Sequence, residues 1–443
     1  MKFKKFGQIS LALVVSLGLG FGVTSCSNDF TVAYLYVTGS QYNQIGGFNI
    51  FNNTGNLKAV TGSPFGSGGT NPIRAVVSST GRYVYVLNGG KPTTDSSGNV
   101  TYTGANISVF SIGGNGTLAF QQSYTSQGTG SLRLGFSTTG SFLYVLDEYM
   151  PQTLVQGGPI VTAQPTQSAA FPCPDPSNAG LWHPTGSITA FSVDGNTGRL
   201  SLITNNQQQD STGAQLTTFP VGCFPIDLKV SAGFLFTADN GPEPGTSNKQ
   251  TIFEYALNST NGQLTLTTNS ELVTTADQIS AIGSDSASKY FYVLDTGGNQ
   301  IFYYTLGTNG LLQAVTGSPA ANAPTASNPI ALTSDSKSKF LYVANAGPAS
   351  GTTNPNSVIT GFTIASNGVL APIAGGTTGT GSGPQCILED PSNQFIYTAD
   401  AGSNTVTGHV LDPNSGVLTD LRNATSYGTV GTPSWCVATN HTN

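Results

Sequence analysis

The segment Tyr83-Val84-Tyr85-Val86 decides the fold, because its aromatic and aliphatic residues recur along the whole chain. Such segments, rich in aromatic and β-branched residues, are typical of β-strands. The pattern occurs seven times, and the other six copies are Tyr34-Leu35-Tyr36-Val37, Phe142-Leu143-Tyr144-Val145, Phe234-Leu235-Phe236-Thr237, Tyr290-Phe291-Tyr292-Val293, Phe340-Leu341-Tyr342-Val343 and Phe395-Ile396-Tyr397-Thr398.

A second repeated signal is a turn that ends in Gly, followed by any residue and then Leu. Most of these glycines follow Asn or Thr, which suits hairpin turns with positive φ. This signal also occurs seven times, at Gly55/Leu57, Gly116/Leu118, Gly198/Leu200, Gly262/Leu264, Gly310/Leu312, Gly368/Leu370 and Gly416/Leu418.

Two further strands complete each repeat. One lies between the two signals, as at 107–112, 188–193, 301–306 and 358–364. The other precedes the aromatic strand and often opens with Pro, as at 72–78, 225–230, 329–334 and 384–389. Four antiparallel strands repeated seven times predict an all-β, seven-bladed β-propeller. A solenoid or a pair of sandwiches is the alternative fold.

The two ends of the chain predict how the ring closes. The first blade begins directly with its aromatic strand, so it lacks an innermost strand. The last strand-like segment, Thr432-Pro433-Ser434-Trp435-Cys436-Val437, has nothing after it to pair with. We expect this C-terminal strand to complete the first blade, which removes the exposed sheet edges.

The N-terminus predicts export and a lipid anchor. Lysines and then an apolar stretch at 9–23 are typical of a signal peptide, here 1–25. Val23-Thr24-Ser25-Cys26 resembles a bacterial lipobox, which implies cleavage before Cys26, acylation of its thiol, and a membrane as partner. Residues 26–32 would then be a linker and 33–443 the propeller. Ser27, rather than an Asp, follows the cysteine, and this favours anchoring in the outer membrane. Anchoring on another periplasmic membrane face is the alternative. The alternative is an ordinary signal peptide with an incidental cysteine.

Composition narrows the classes of partner. Charged residues are 8% of the chain, against about 25% in an average soluble protein. With 15 Lys and Arg there is too little positive charge for a nucleic-acid-binding surface. No segment matches a calcium loop or zinc-ligand spacing, so we predict neither a metal nor a cofactor.

The repeats resemble the YVTN-repeat, lactonase-like propellers. The blade at 339–347, 357–359 and 367–370 and the links Val60-Thr61-Gly62-Ser63-Pro64-Phe65 and Val315-Thr316-Gly317-Ser318-Pro319 carry the resemblance. It implies the seven-bladed fold and 6-phosphogluconolactonase-like activity, with His, Arg and Glu at the channel mouth. In the family a His commonly follows the Pro of some innermost strands. This chain has Ile73, Ile226, Ile330, Gln385 and Ser434 at those positions.

The candidate site residues lie two positions past the start of each innermost strand. Arg74 and Arg133 come from adjacent blades and together suit a carboxylate or phosphate. Alternatively they pair with Asp227, Glu389 or backbone carbonyls and plug the channel. The whole predicted layer is Arg74, Arg133, Asp227, Ala281, Ala331, Cys386 and Trp435.

An insertion at 148–186 interrupts blade 3. A smaller one, at 89–105, interrupts blade 2, and both are expected on the face that carries the blade-to-blade links. Trp182, His183 and Tyr149 could line a pocket beside Arg133. The alternative is that the insertion is disordered, or packs only on itself and lines no pocket.

One Asx residue follows most aromatic strands. These residues could form a carboxylate ring for a cation, or they could cap turns as part of the repeat, which we favour. They are Asn88, Asp147, Asp239, Asp295, Asn345 and Asp400.

Four cysteines remain once Cys26 is set aside. In an oxidising compartment this even number predicts two disulfides, Cys173–Cys223 and Cys386–Cys436, with free buried thiols as the alternative. The first would tie down the blade 3 insertion, and the second would lock the ring where the chain closes.

Together these features predict an exported, lipid-anchored propeller that binds a partner protein, a glycan or a small anion at the cell envelope. The ligand-binding candidates are Arg74, Arg133, Trp182 and Trp435. The alternative is a lactone hydrolase in which the two arginines polarise the carbonyl and Glu148, Asp227 or His183 is the base. A third possibility is a structural surface protein.

Overall fold

Each aromatic segment forms the second strand of a four-stranded blade, as predicted. The computed structural model describes residues 29–441 except 152–153, 156–172, 174–181, 211, 242–249 and 349–356. The described residues form strands, turns and loops, and none of them lies in a helix. Within this part of the chain no helix is long and apolar enough to cross a membrane. The predicted signal peptide and Cys26 lie outside the described residues.

The main strands of each blade follow one another from the channel outward. Blade 1 has β37 (Pro433–Asn440), β1 (Thr31–Gly39), β2 (Gln44–Phe51) and β3 (Leu57–Ala59). Blade 2 has β5 (Pro72–Val77), β6 (Tyr83–Asn88), β9 (Asn106–Ile112) and β10 (Leu118–Tyr124). Blade 3 has β11 (Thr129–Phe136), β12 (Phe142–Tyr149), β14 (Ser187–Val193) and β15 (Leu200–Ile203). Blade 4 has β19 (Pro225–Ser231), β20 (Phe234–Asp239), β21 (Thr251–Leu257) and β22 (Leu264–Val273).

The last three blades have the same order. Blade 5 has β23 (Ile279–Ser284), β24 (Tyr290–Asp295), β25 (Gln300–Leu306) and β26 (Leu312–Ala314). Blade 6 has β28 (Pro329–Ser334), β29 (Phe340–Asn345), β30 (Val358–Ile364) and β31 (Leu370–Gly379). Blade 7 has β32 (Pro384–Glu389), β33 (Phe395–Asp400), β34 (Thr405–Leu411) and β35 (Leu418–Asp420). Four short strands each pair with the third strand of a blade: β4 (Phe65–Gly66), β18 (Phe219–Pro220), β27 (Ala320–Ala321) and β36 (Ser426–Gly428). In addition, β16 (Asn205–Gln209) pairs with β17 (Gln215–Leu216).

The ring closes as predicted. β37 pairs antiparallel with β1, with Val437 opposite Tyr36, and it also contacts the innermost strands of blades 2 and 7. The disulfide Cys386–Cys436 joins blades 7 and 1 across this closure, with 5.9 Å between the Cα atoms. The disulfide Cys173–Cys223 joins the blade 3 insertion to the segment before β19, with 5.6 Å between the Cα atoms. Both predicted disulfides are therefore present.

Neighbouring blades meet where a turn glycine packs under an aromatic ring. The glycine of each Gly-x-Leu turn has a positive φ, and a Cβ built on it would overlap the first aromatic residue of the preceding blade's second strand. The seven pairs are Gly116/Tyr34, Gly198/Tyr83, Gly262/Phe142, Gly310/Phe234, Gly368/Tyr290, Gly416/Phe340 and Gly55/Phe395. Glycine is thus required for its backbone conformation and for space.

The second aromatic residue adds a hydrogen bond to the same turns in five blades. The hydroxyl of Tyr85 donates to the carbonyl of Gly198 at 2.9 Å, and that of Tyr397 donates to Gly55 across the ring closure at 2.5 Å. Tyr36, Tyr144 and Tyr342 donate in the same way to Gly116, Gly262 and Gly416. The two repeated sequence signals are therefore the two sides of one interface between blades.

Five of the six Asx residues fasten blade-to-blade links, mostly through bonds other than the turn N–H bonds that the capping interpretation predicted. The carboxylate of Asp147 accepts hydrogen bonds from Ser126 in the preceding link, and from Ser131 and Thr189. Burial raises the pKa of Asp147 to about 6, although these hydrogen bonds oppose the shift. Asn88, Asp295, Asn345 and Asp400 make corresponding bonds to Ser67, Gln278, Asn322 and Thr380.

The two insertions join each other over one face of the ring. The blade 2 insertion forms a hairpin of β7 (Lys91–Thr94) and β8 (Asn99–Thr103). The blade 3 insertion adds β13 (Leu154–Val155), which pairs with β8. Their predicted location on a shared face is confirmed. We call this face, where second strands end and third strands begin, the insertion face.

Replacing Gly198 with Ala should destabilise the propeller by about 2–4 kcal/mol. The φ of 71° becomes strained, and the new Cβ would lie 2.6 Å from Cδ1 of Tyr83. Denaturant unfolding monitored by tryptophan fluorescence would measure the loss.

Gly98→Ala is the matched control, since Gly98 has a φ of 84° and nothing within 4 Å of its built Cβ. It should cost only the backbone strain. Equal losses in the two variants would show that the ring contact contributes nothing.

Candidate binding site in the central channel

A cavity of about 390 Å³ lies in the central channel between the innermost strands. Its walls carry three cations, two carboxylates and one indole: Arg74, Arg133, Lys229, Asp227, Asp285 and Trp435. Hydroxyl groups of Ser284, Ser286, Ser288, Thr333 and Ser334 and several aliphatic side chains complete the wall. Four residues of the predicted layer, Arg74, Arg133, Asp227 and Trp435, are thus brought together.

Arg74 stacks on Trp435 and has no anionic partner in the part of the chain that the structure describes. Its guanidinium carbon lies 3.4 Å from the centroid of the indole ring, a cation–π contact between blades 2 and 1. Within the described residues, Arg74 takes part in no side-chain hydrogen bond or ion pair. Burial, reinforced by the charge of Arg133 and opposed by Asp227, lowers the pKa of Arg74 well below its ordinary value. A bound anion would relieve that unfavourable energy.

Arg133 forms the ion pair that the plug interpretation predicted. Its Nε donates to Oδ1 of Asp227 at 3.0 Å, while its Nη1 donates to the carbonyl of Leu132 at 2.9 Å. Asp227 also accepts from the backbone N–H groups of Leu228 and Ile282. This carboxylate therefore links blades 3, 4 and 5, and its lone pairs are largely occupied.

Lys229 and Asp285 were missed by the sequence analysis. Burial lowers the pKa of Lys229, against the opposing charges of Asp227 and Asp285. In Asp285, Oδ1 accepts from the backbone N–H groups of Lys289 and Tyr290, and the buried Oδ2 has no hydrogen-bond partner in the described structure.

Alignment of the seven repeats marks Lys229 as unusual. It lies four residues past the Pro that opens its innermost strand, and it is the one charged residue among the seven copies at that position. The other six are Val76, Gly135, Gly283, Thr333, Leu388 and Val437.

A β-bulge in every innermost strand separates the cavity from the insertion face. In all seven copies the pairing register shifts at the residue just before the predicted layer. The bulge residues are Ser434, Ile73, Leu132, Ile226, Ser280, Ile330 and Gln385. None of these described residues lines the cavity, which instead reaches the exposed Ser286 in the turn between β23 and β24. The cavity therefore opens on the face opposite the insertions.

Two serines at the bulge position fasten neighbouring innermost strands. The Oγ of Ser434 donates to the carbonyl of Pro72 at 2.5 Å, and the Oγ of Ser280 donates to that of Pro329 at 2.6 Å. The hydroxyls of these two serines are therefore structural in blades 1 and 5.

The remaining candidates lie on the insertion face. Oε1 of Glu148 accepts from the hydroxyl of Tyr149 at 2.8 Å. The ring of His183 packs edge-on to Phe224 with 5.1 Å between centroids, and Trp182 beside it is half-buried. The described part of the chain does not bring Glu148, Tyr149, Trp182 or His183 into the wall of the cavity beside Arg133. Most of the insertion, including 156–172 and 174–181, lies outside the described residues.

The described residues give no support to a ring of Asx carboxylates that binds a cation. In the described ranges, no group of three or more His, Cys, Asp or Glu side chains is arranged to hold a metal ion. Five of the Asx residues instead bond to blade-to-blade links.

Known proteins share this architecture. Residues 311–438, from the end of blade 5 to the closing strand, match the family described as lactonase, 7-bladed beta-propeller. The chain is a seven-bladed β-propeller whose C-terminal blades resemble this family. No curated protein matches it by sequence.

Solved structures extend the likeness to the whole ring. A proposed 6-phosphogluconolactonase of Bacteroides uniformis is 15% identical, with a TM-score of 0.63, over 92% of this chain and 99% of its own. One from Bacteroides fragilis is 16% identical, with a TM-score of 0.62, over 94% and 100%. The periplasmic gluconolactonase of Pseudomonas aeruginosa is 16% identical, with a TM-score of 0.63, over 92% and 99%. At these identities the likeness concerns the fold alone.

Asp227→Asn should destabilise the propeller by about 1–3 kcal/mol. The substitution removes the charge that partners Arg133 and leaves two unneutralised guanidinium groups side by side. The free energy of unfolding from urea titration is the measurement.

Asp420→Asn is the matched control, because the Asp420 side chain is 76% exposed although it lies near His409. Its effect should stay within about 0.5 kcal/mol. A loss at Asp227 no larger than that at Asp420 would contradict the role of Asp227 as a link between blades.

Proposed function

We propose that the protein binds a small carboxylate-bearing anion in its central channel, at the cell envelope. The observation that carries the proposal is the guanidinium of Arg74, which has no anionic partner among the described residues and lies on Trp435 in the wall of an open cavity. Anchoring through an acylated Cys26 is part of the proposal. The lipobox-like sequence and the two disulfides, which suit an oxidising compartment, support it.

The charges of the cavity favour a monoanion. Three cations, Arg74, Arg133 and Lys229, face two carboxylates, Asp227 and Asp285, inside a chain whose formal net charge is −6. A planar carboxylate matches the guanidinium fork of Arg74 in a bidentate pair. The serine and threonine hydroxyls further along the cavity suit polar groups on the rest of the ligand.

The position of the possible bases also favours binding over hydrolysis. A base for lactone hydrolysis must approach a water molecule beside the carbonyl that the arginines polarise. His183 and Glu148 are on the insertion face, and Asp227 already accepts from Arg133, Leu228 and Ile282. A channel sealed by internal salt bridges would favour a structural protein, but Arg74 is not paired in that way.

Arg74→Gln should weaken binding of gluconate, pyruvate or inorganic phosphate by about 10- to 100-fold. The lost pair of charge-assisted hydrogen bonds is the reason. Isothermal titration with each of the three probes measures the affinity.

Arg82→Gln is the matched control, since Arg82 is an exposed arginine of the same blade, outside the cavity wall. Its affinity should equal that of the wild type. If the Arg74 variant binds every bound probe as well as the Arg82 variant does, the proposed site is wrong.

Lactone hydrolysis is the second candidate, favoured by the family match at 311–438 and by Lys229. Because burial lowers the pKa of Lys229, its neutral amine is accessible at lower pH than that of a surface lysine. The amine could accept the proton of an attacking water while Arg74 and Arg133 stabilise the developing oxyanion.

The test is acid release from a panel of lactones that includes 6-phosphogluconolactone. We expect no turnover above background from the wild type. Turnover that rises with pH and falls at least about 100-fold in Lys229→Met, but not in the surface variant Lys58→Met, would establish the hydrolase instead.

A further inference from the structure

The face onto which the cavity opens also receives the start of the propeller chain. We call it the turn face: it carries the turns that join first to second strands and third to fourth strands. β1 begins on it at Thr31, because second strands run from this face to the insertion face. Cys26 is five residues before Thr31 in the sequence, and five extended residues span at most about 18 Å.

The turn face is basic although the protein is acidic. Five of its lysines and arginines are exposed: Arg82, Arg199, Lys289, Lys337 and Lys339. The described residues of this face include three exposed acidic groups: Asp29, Asp194 and Asp412.

Three other acidic residues of these turns, Asp285, Asp335 and Asp390, are buried and point inward. Each accepts backbone N–H groups of its own turn, as Asp335 does from Lys339 and Phe340. Their charges are therefore shielded from solvent.

The described residues of the insertion face have no such excess of basic groups. Its described loops carry two exposed acidic residues, Asp95 and Asp277, and two exposed basic residues, Lys91 and Arg422. Among the described residues, the turn face is therefore the more positive of the two faces of the ring. The three cations of the cavity add to the positive side.

We infer that the turn face rests on an anionic membrane surface, with the channel cavity opening toward the bilayer. The inference rests on the proposed lipid attachment at Cys26, which keeps this face within reach of the headgroups. Each exposed Lys or Arg near an anionic bilayer raises membrane affinity by about fivefold. The ligand would then enter the cavity through the gap between the turn face and the membrane.

Energy transfer from labelled cysteines tests the orientation in the full lipidated chain. The protein is reconstituted into phosphatidylglycerol-containing vesicles that carry an acceptor lipid. Donor dyes are placed at Thr80→Cys in a turn-face loop and, as the matched position, at Ser97→Cys in the β7–β8 hairpin; both residues are exposed. We expect more efficient transfer from Thr80→Cys. Equal transfer, or more from Ser97→Cys, would overturn the inference.

Charge reversal tests the surface without the anchor. The chain beginning at Ser27 keeps β1, β37 and every described contact that closes the ring. Its sedimentation with phosphatidylglycerol vesicles should fall at least about tenfold in Lys337→Glu/Lys339→Glu. Lys91→Glu/Arg422→Glu reverses two exposed cations of the insertion face, and it should lose much less. Equal losses, or wild-type binding to neutral phosphatidylcholine as strong as to phosphatidylglycerol, would overturn the inference.

Two further measurements separate this inference from the proposed function. Titration of the Arg74→Gln variant in solution reports on the ligand site whatever the orientation of the ring. Mass spectrometry of Cys26 reports on acylation. An unmodified Cys26 would overturn the proposed contact of the turn face with the membrane, but not the proposed ligand site in the channel.

Discussion

The propeller depends on the packing of a turn glycine beneath an aromatic ring of the preceding blade. The contact occurs at all seven junctions, and in five of them a tyrosine hydroxyl also donates to the glycine carbonyl. The junction between Phe395 and Gly55 closes the ring with the same chemistry that joins the other blades. Each blade is therefore fixed at its turn-face end, and this fixes where the innermost strands stand around the channel.

The fold was predictable because both sides of this contact are short local patterns. Tyr83 and Gly198 are far apart in sequence, yet each belongs to a motif that can be recognised without knowing its partner. The missing innermost strand of the first blade and the unpaired segment at Trp435 defined the closure. The same positional reasoning paired Cys386 with Cys436 and brought Arg74, Arg133, Asp227 and Trp435 into one layer.

The open end of the channel was not predictable, since it depends on side-chain packing rather than on strand order. The bulge at Ile73, like the equivalent bulge in each other blade, lies between the insertion face and the layer that contains Arg74 and Arg133. Sequence reasoning placed Arg133 beside the insertion, whereas the cavity extends the other way, toward Ser286. Lys229 was overlooked because single lysines in strands are ordinarily solvent-exposed, and only the alignment of the seven copies marks it as unusual.

The state of Arg74 separates a binding channel from a plugged one. A channel filled for stability alone would pair each buried charge, because an unpaired one is costly. Arg133 meets that requirement through Asp227, but Arg74 has only the face of Trp435, and Oδ2 of Asp285 has no partner among the described residues. These two groups lie in the wall of one cavity that opens to solvent on the basic face. An anionic ligand that also carries polar groups would satisfy both Arg74 and Asp285. The residues that destabilise the protein without a ligand therefore stabilise the complex with one.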